Sequence, residues 1–282
     1  MILLTGAAGK TGRAVLNALK QKGAEVKAFV RSEKQAADIH AATHAPVHVG
    51  DLRVGKSLAA ALSGVDVIYF ICPNMAPDEL EIGQNLLTLA KAKGVTRIVY
   101  HSVLHPQVEA MPHHWQKLRL EEAIFTSGLD FTILQPCAYM QNILQYWEKI
   151  TTEGIYEVPY ATSARISIVN LEDVAQAAAG VLVESQHSGA IYELAGPQPL
   201  SQEEVAQIIG QRSGRPVHAR LLDRNQWAEN ASKAGMGDYQ RNTLLRMFEY
   251  YEQFGLVGNS TVLEMLLKRP ATSFAEFVER QL

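Results

Sequence analysis

The stretch Ile2-Leu3-Leu4-Thr5-Gly6-Ala7-Ala8-Gly9-Lys10-Thr11-Gly12 restricts the fold more than any other part of the chain. Three apolar residues read as a short buried strand, glycines at three-residue spacing as a tight turn, and Val15, Leu16 and Leu19 as the apolar stripe of a helix. In a strand–turn–helix unit the glycines permit the bend, close approach of an anion to the backbone and close packing of helix on strand. The helix N-terminus then faces the anion. The letters Gly9-Lys10-Thr11 also end a triphosphate-binding loop, but such a loop needs a glycine five residues before Gly9, and that position is Leu4. Spacing excludes the triphosphate and leaves a dinucleotide pyrophosphate, with Gly6, Ala8, Gly9, Lys10, Thr11 and Gly12 as its binding residues.

Beyond this turn, short runs rich in Val, Ile, Phe and Tyr alternate with helical stretches. Strands are expected over residues 25–30, 46–49, 66–71, 97–102 and 130–135, with helices such as 80–93 and 116–125 between them. The alternation implies right-handed crossovers and a Rossmann-type α/β fold, a doubly wound parallel sheet with helices on both faces. After about residue 150 the rhythm changes. Residues 154–168 read as a loop with isolated strand residues, 171–183 as a helix, 191–194 as a strand able to return to the sheet, and the rest as mostly helical. The expected organisation is a dinucleotide-binding domain over 1–150 plus about 166–196, and a smaller, mostly helical substrate domain over about 151–165 and 197–282. A chain of 282 residues, 47% hydrophobic, has enough apolar mass for both. Ser201 with Glu204 and Ser273 with Glu276 read as capping boxes that open two helices.

The end of the second strand selects the cofactor. An acidic residue there bonds the ribose hydroxyls of NAD and repels a 2′-phosphate. This chain reads Phe29-Val30-Arg31-Ser32, and Arg31, 25 residues beyond Gly6, offers a guanidinium to that phosphate; Lys10 adds a second cation. NADP(H) is the expected cofactor. Gly50-Asp51-Leu52 follows the third strand, placing Asp51 to bond the adenine amino group and Leu52 beside it. A net charge of −3, with 26 basic residues scattered, gives no footprint for nucleic acid, and no run is apolar over a membrane span. The expected setting is cytoplasmic. Cys72 and Cys137, the only cysteines, lack metal or redox spacing and read as reduced thiols.

Taken together, "LLTGAAGKTGRAV", "FVRS", "VGDL", "IVYHSVLH", the helix beginning "HHWQK", "FTILQPCAYMQN", "YELAGPQPLSQEEVAQII" and "RPATSFAEFVERQL" resemble the NmrA-like family of atypical short-chain dehydrogenase/reductases over nearly the whole chain. The resemblance implies NADPH-dependent reduction of a conjugated, electron-poor small molecule such as a quinone, iminium compound, dye or enone. It equally covers members that bind NADP(H) without reducing anything and act as redox sensors. The expected state is a monomer or homodimer.

Short-chain dehydrogenases use Ser, Tyr and Lys, with Tyr four residues before Lys as proton donor. The resemblance places Ser102 and Lys117 in the Ser and Lys positions and puts His113 where the Tyr would stand. Imidazole titrates near neutrality, so His113 is the candidate acid, while Ser102 and Lys117 also serve the nicotinamide ribose. A quinone or cationic dye needs little proton assistance, so positioning alone can suffice. Cys72 and Pro73 follow the fourth strand, at the inner ribose. Pro136 and Cys137 follow the sixth, with Tyr139, Met140 and Asn142 on the substrate side, and Tyr160 and Trp227 are added as an aromatic wall. The resemblance also implies that Arg often stands where this chain has Gln135. No metal is expected, because the histidines lack short fixed spacing.

Overall fold

The computed structural model describes Met1–Leu282. The chain begins β1 (Ile2–Leu4), α1 (Lys10–Gln21), β2 (Val26–Val30), α2 (Glu33–Thr43), β3 (Val47–Val49), α3 (Gly55–Ala61), β4 (Val67–Phe70), α4 (Glu79–Ala92), β5 (Arg97–His101), α5 (Pro112–Phe125) and β6 (Asp130–Pro136). It continues through β7 (Ala138–Tyr139), a 3-10 stretch over Met140–Tyr146, α6 (Trp147–Glu153), β8 (Ile155–Val158), β9 (Ile166–Val169), α7 (Leu171–Val183) and β10 (Ala190–Leu194). The last elements are β11 (Pro199–Leu200), α8 (Gln202–Ser213), β12 (His218–Leu221), α9 (Arg224–Lys233), α10 (Asp238–Phe254), α11 (Thr261–Leu267) and α12 (Phe274–Glu279). No helix is long and apolar enough to cross a membrane.

Seven strands form one sheet in the order β10-β6-β5-β4-β1-β2-β3. The pairs from β6 across to β3 are all parallel. This is the expected Rossmann-type sheet, and each of its strands lies within one residue of its expected bounds at either end. Helix α5 starts at Pro112, four residues before the periodic pattern and one before the start that the resemblance places at His113. Proline suits a first turn, where its missing N–H has no helical partner to lose. Residues 154–168 depart from expectation, because they hold two strands rather than a loop. Each spans only four residues and finds its partners far along the chain: β8 pairs in parallel with β12, and β9 lies between β7 and β11. Nothing local marks such pairings.

The chain divides into two compact units, Met1–Gln107 with His114–Gln135 and Val174–Tyr192, and Val108–His113 with Pro136–Asp173 and Glu193–Leu282. In the first, α1 buries Val15, Leu16 and Leu19 as its pattern requires. One face of the sheet, with Leu3, Phe29, Ile68, Phe70, Ile98, Tyr100 and Ile133, packs with Ile82 and Leu86 of α4 and Leu120 and Ile124 of α5. Each such side chain contributes roughly 1.5–3 kcal/mol when fully buried. Gly83 sets the spacing of α4 and α5, since a Cβ there would lie 2.2 Å from Leu120 Cδ1.

The second unit is built on Ile150, Tyr156, Val158, Leu200, Val205, Ile209, Phe274 and Phe277. Both capping boxes form as expected, at Ser201 and Ser273. Asp173, buried, accepts from Thr272 N–H at 2.7 Å, Thr272 Oγ1 at 3.1 Å and Arg269 Nη2 at 2.7 Å, tying the start of α7 to the segment before α12.

Candidate functional site

Strand order reverses between β1 and β4, the position at which an open α/β sheet leaves a crevice at its carboxyl edge. Thr5 joins the two strand ends there, donating from Oγ1 to Ile71 O at 2.9 Å and accepting from Ile71 N–H at 2.8 Å. The glycine turn follows. Gly6 has φ +61°, a left-handed conformation costly for a residue with a Cβ, and its own missing Cβ would lie 3.2 Å from Ile71. Gly9 is the N-cap of α1, so no side chain covers the first turn of that helix. At Gly12 a Cβ would stand 2.2 Å from Gly6 O and 2.7 Å from Ala7 Cα. The turn is thus a bare-backbone cradle, and it fits a dinucleotide pyrophosphate.

The residues expected at the remaining strand ends stand along the same edge of the sheet. Arg31 is exposed after β2, with its N–H fixed by Gln35 Oε1 at 2.9 Å while Ser32 caps α2. Gly50 N–H donates to Val30 O, bringing the end of β3 against that of β2. Asp51 Oδ1 accepts from Arg53 N–H, and the Arg53 guanidinium grips Asp78 through two bonds of 2.6 and 2.9 Å. That grip holds the Asp78 carboxyl below its ordinary range. Leu52 is buried. Cys72 is buried after β4, and its thiol is pushed up by burial and then by the charge of Glu79.

Ser102 and Lys117 enter two linked polar clusters. Lys117 Nζ donates to Glu79 Oε1 at 2.8 Å and to the His101 carbonyl at 3.3 Å, and lies 3.5 Å from Tyr100 Oη, which itself donates to Glu79 Oε1 at 2.8 Å. The side chains of Lys117 and Glu79 are 8% and 0% exposed, so this is a buried ion pair. Gly83 explains how it forms: with no side chain there, α4 approaches α5 closely enough for Glu79, one turn before Gly83, to reach Lys117. One turn further along α5, Glu121 accepts from Ser102 Oγ and receives Gln135 Nε2 at 3.0 Å on each oxygen. Burial raises its pKa, opposed by the Ser102 and Gln135 hydrogen bonds and the Lys117 charge. His113 is half-buried in the first turn of α5. Glu79, Tyr100 and Glu121 were not singled out from sequence.

Two neutral histidines flank this region. His101, in hydrogen-bond contact with Tyr69 Oη at 2.7 Å, is pushed down to about 3 by burial and then by the Lys117 charge. His114, whose Nδ1 lies 3.2 Å from His105 O, is pushed down to about 4 by burial. Unfolded, both titrate near 6.5, so between about pH 4 and 6.5 the unfolded chain binds protons that the folded chain does not. Their contribution is complete above pH 6.5 and is lost as pH falls. Glu121, with a raised value, acts in the opposite sense. Thermal melts of wild type should therefore decline from pH 7 to pH 5, and His114→Gln should flatten that decline by about 2 kcal/mol. Identical pH slopes for the two proteins would refute the assignment.

The remaining expected residues belong to the second unit. Pro136 and Cys137 are buried at and just after the end of β6, and burial pushes the Cys137 thiol up to about 12. Tyr139 is half-buried in β7, Met140 is buried, and Asn142 is exposed in the 3-10 stretch. Tyr160 and Trp227 come together through Phe248, with ring centroids 5.8 and 4.8 Å away, and Tyr160 also meets Tyr251 at 5.8 Å. They form an aromatic cluster in which α10 supplies two rings at helical spacing. No group of three or more His, Cys, Asp or Glu side chains is placed to hold a metal ion.

A model of the NmrA-like family matches residues 1–278. The chain is 29% identical over 284 residues to NAD(P)H azoreductase of Xenophilus azovorans, covering 99% of this chain and 97% of that one. It is 28% identical over 280 residues to quinone oxidoreductase 2 of Escherichia coli, with the same coverage. The structure matches that of an Escherichia coli NADPH-dependent quinone oxidoreductase complexed with NADPH at a TM-score of 0.88, with 28% identity, over 100% of this chain and 99% of that one. It matches Citrobacter sp. triphenylmethane reductase complexed with NADP(H) at a TM-score of 0.88 and 25% identity, over the full length of both.

Proposed function

The chain belongs to the NmrA-like family, and from there we propose that it is a cytoplasmic NADPH-dependent reductase of a conjugated, electron-poor small molecule of the quinone or dye class. One observation carries the cofactor assignment: a cradle with no room for a Cβ at Gly12 lies on the same sheet edge as an exposed guanidinium at the end of β2. Free thiols at both cysteines suit a reducing compartment.

In this reading Gly6, Ala8, Gly9, Thr11 and Gly12 hold the pyrophosphate through backbone N–H groups, and Arg31 with Lys10 takes the 2′-phosphate. Asp51 and Leu52 serve the adenine, and Cys72 and Pro73 line the path to the inner ribose. Ser102 and Lys117 meet the nicotinamide ribose, and Pro136 and Cys137, at the end of β6, are further cofactor residues of this reading. Tyr139, Met140, Asn142, Tyr160 and Trp227 favour a flat aromatic acceptor. The cofactor, when bound, supplies hydride. Lys117 is already matched by Glu79, so its charge is not spent on activating a phenol. That suits an acceptor whose own electron deficiency draws the hydride.

The test is nicotinamide fluorescence titration of wild type and Arg31→Ala with NADPH and NADH, followed by an acceptor panel. Losing one charge-assisted contact to phosphate should weaken NADPH binding roughly 30-fold and leave NADH binding nearly unchanged. Oxidation of bound NADPH by quinones or dyes supports the reductase. Binding with no oxidation across the panel would replace it with a redox sensor, and a preference for NADH would refute the role of Arg31.

A further inference from the structure

We propose that Glu121, held as a carboxylic acid, passes a proton through the Ser102 hydroxyl to the reduced acceptor. This rests on the reductase reading above and assigns the proton source that the reading leaves open.

The geometry begins with charge. Glu121 is 2% exposed, and its hydrogen-bond donors are the Ser102 hydroxyl and the Gln135 amide, both neutral. The nearby cation, Lys117, is bonded to Glu79 at 2.8 Å, and Tyr100 is itself a donor to Glu79, while His101, His114 and the Cys72 thiol also feel the Lys117 charge. Lys117 and Glu79 thus balance one another, and Glu121, on which the Lys117 charge acts from a distance, has no ion pair of its own. Burial without an ion pair favours the protonated form of such a carboxyl. The direction of its pKa is the same, raised by burial against the Ser102 and Gln135 hydrogen bonds and the Lys117 charge.

Protonated, the cluster rearranges without moving a heavy atom. The Glu121 hydroxyl donates from Oε1 to Ser102 Oγ, and Gln135 Nε2 continues to donate to Oε2. Ser102 O–H is then turned away from Glu121, and its N–H stays fixed on Leu134 O at 2.8 Å. Ser102 directly follows β5, on the carboxyl edge of the sheet, where such folds bind ligands.

The proton balance is simple. Hydride addition to a quinone leaves an oxyanion, and a bond forms from that oxygen to the Ser102 proton as the Ser102 O–H bond breaks. Ser102 Oγ takes the Glu121 proton, and Glu121 is left as a carboxylate that solvent reprotonates between turnovers. A cationic triphenylmethane dye differs: hydride neutralises its central carbon, and no proton is consumed.

That difference gives the experiment. Full-length wild type, Glu121→Gln and Ser102→Ala are saturated with NADPH and mixed in single turnovers with a benzoquinone or a cationic triphenylmethane dye across pH 5 to 9. Infrared difference titration of the cofactor-free proteins reads the carboxylic acid band. Glu121→Gln should lose about 100-fold in quinone reduction, as for loss of a general acid, and stay within about twofold for the dye, whereas Ser102→Ala, which also loses its contact with the nicotinamide ribose, should slow both acceptors and the quinone about 100-fold more. The wild-type quinone rate should fall as pH rises through the Glu121 titration. A buried carboxylic acid band should titrate above the ordinary carboxylate range and be missing in Glu121→Gln. Equal losses for both acceptors would assign Glu121 a structural role and overturn the relay, as would unchanged quinone rates or no such band. Wild type that binds NADPH and oxidises it with neither acceptor would sink the reductase reading itself, and the relay with it.

Discussion

Replacing Glu79 by alanine is expected to remove about 3–5 kcal/mol of stability, the loss seen when one partner of a buried ion pair is deleted, and to lower the melting temperature by roughly 10 °C. The reason lies in what is left behind. Lys117 Nζ would retain the His101 carbonyl at 3.3 Å and the Tyr100 oxygen at 3.5 Å, neither of which carries charge. Tyr100 Oη, fully buried, would lose the acceptor it now reaches at 2.8 Å. Both penalties are those of desolvated polar groups without a matching partner. A triple variant, Glu79→Leu with Lys117→Met and Tyr100→Phe, removes the charge on both sides and the hydroxyl that would lose its acceptor, and should regain most of the stability, because well-packed apolar groups of similar volume are often no worse than an ion pair in such a place. Thermal melts of the three proteins decide it. If Glu79→Ala melted within 2 °C of wild type, the pair would not be the buried, mutually dependent unit described above.

The same cluster shows where sequence reading reaches its limit. Ser102 and Lys117 were singled out because they match positions in a known family, and the turn from Gly6 to Gly12 because its spacing has a mechanical cause. Their partners carried no such label. Glu79 meets Lys117 across 38 residues, and Glu121 meets Ser102 across 19, so neither contact belongs to a local pattern. A signal did exist on α5 itself. Its buried face runs His114, Lys117, Leu120, Glu121 and Ile124, and charged residues on the stripe that also carries Leu120 and Ile124 must be paired inside the protein. That periodicity could have marked Glu121 without naming its partners. The identity of Glu79 depends on Gly83, whose role appears only when α4 and α5 are side by side.

Strands in the second unit were hidden for a related reason. A parallel sheet with helical crossovers announces itself through repetition, and all the strands of the large sheet were legible to within a residue. Ile155–Val158 and Ile166–Val169 are four residues long, and their partners lie in β12, β7 and β11. A short strand whose partner lies between thirty and sixty-three residues away has no alternation long enough to distinguish it from an extended loop. The aromatic residues were half legible. Tyr160 and Trp227 were expected as one aromatic wall, and it is Phe248 of α10 that joins them.

The largest effect on cofactor binding is expected from the turn, and it separates two kinds of glycine. Gly12→Ala places a Cβ 2.2 Å from Gly6 O and 2.7 Å from Ala7 Cα, both backbone atoms that no rotamer change can move aside. The turn or the start of α1 must shift by about 1 Å to reach ordinary contact distances, and a shift of that size in a site that positions its ligand can cost on the order of 100-fold. Stability should fall as well, by about 1–3 kcal/mol, as overpacking does. Gly9→Ala is the contrast. Its Cβ would meet only Gly6 O, at 3.3 Å, and Gly9 already has φ −75°, which alanine adopts freely. The cofactor-free protein should lose about 1 kcal/mol, because alanine is a poorer N-cap than glycine and Gly6 O must give by a few tenths of an ångström, and the methyl group would project at the N-cap of α1, where the pyrophosphate approaches bare backbone. Gly9→Ala should thus weaken NADPH binding at a small cost in stability, and Gly12→Ala should lose more of both. Melting curves and NADPH titrations on the two variants give four numbers. If Gly9→Ala bound NADPH as tightly as wild type, the pyrophosphate would not lie over the N-cap, and the cradle would have to be sought elsewhere on the carboxyl edge of the sheet.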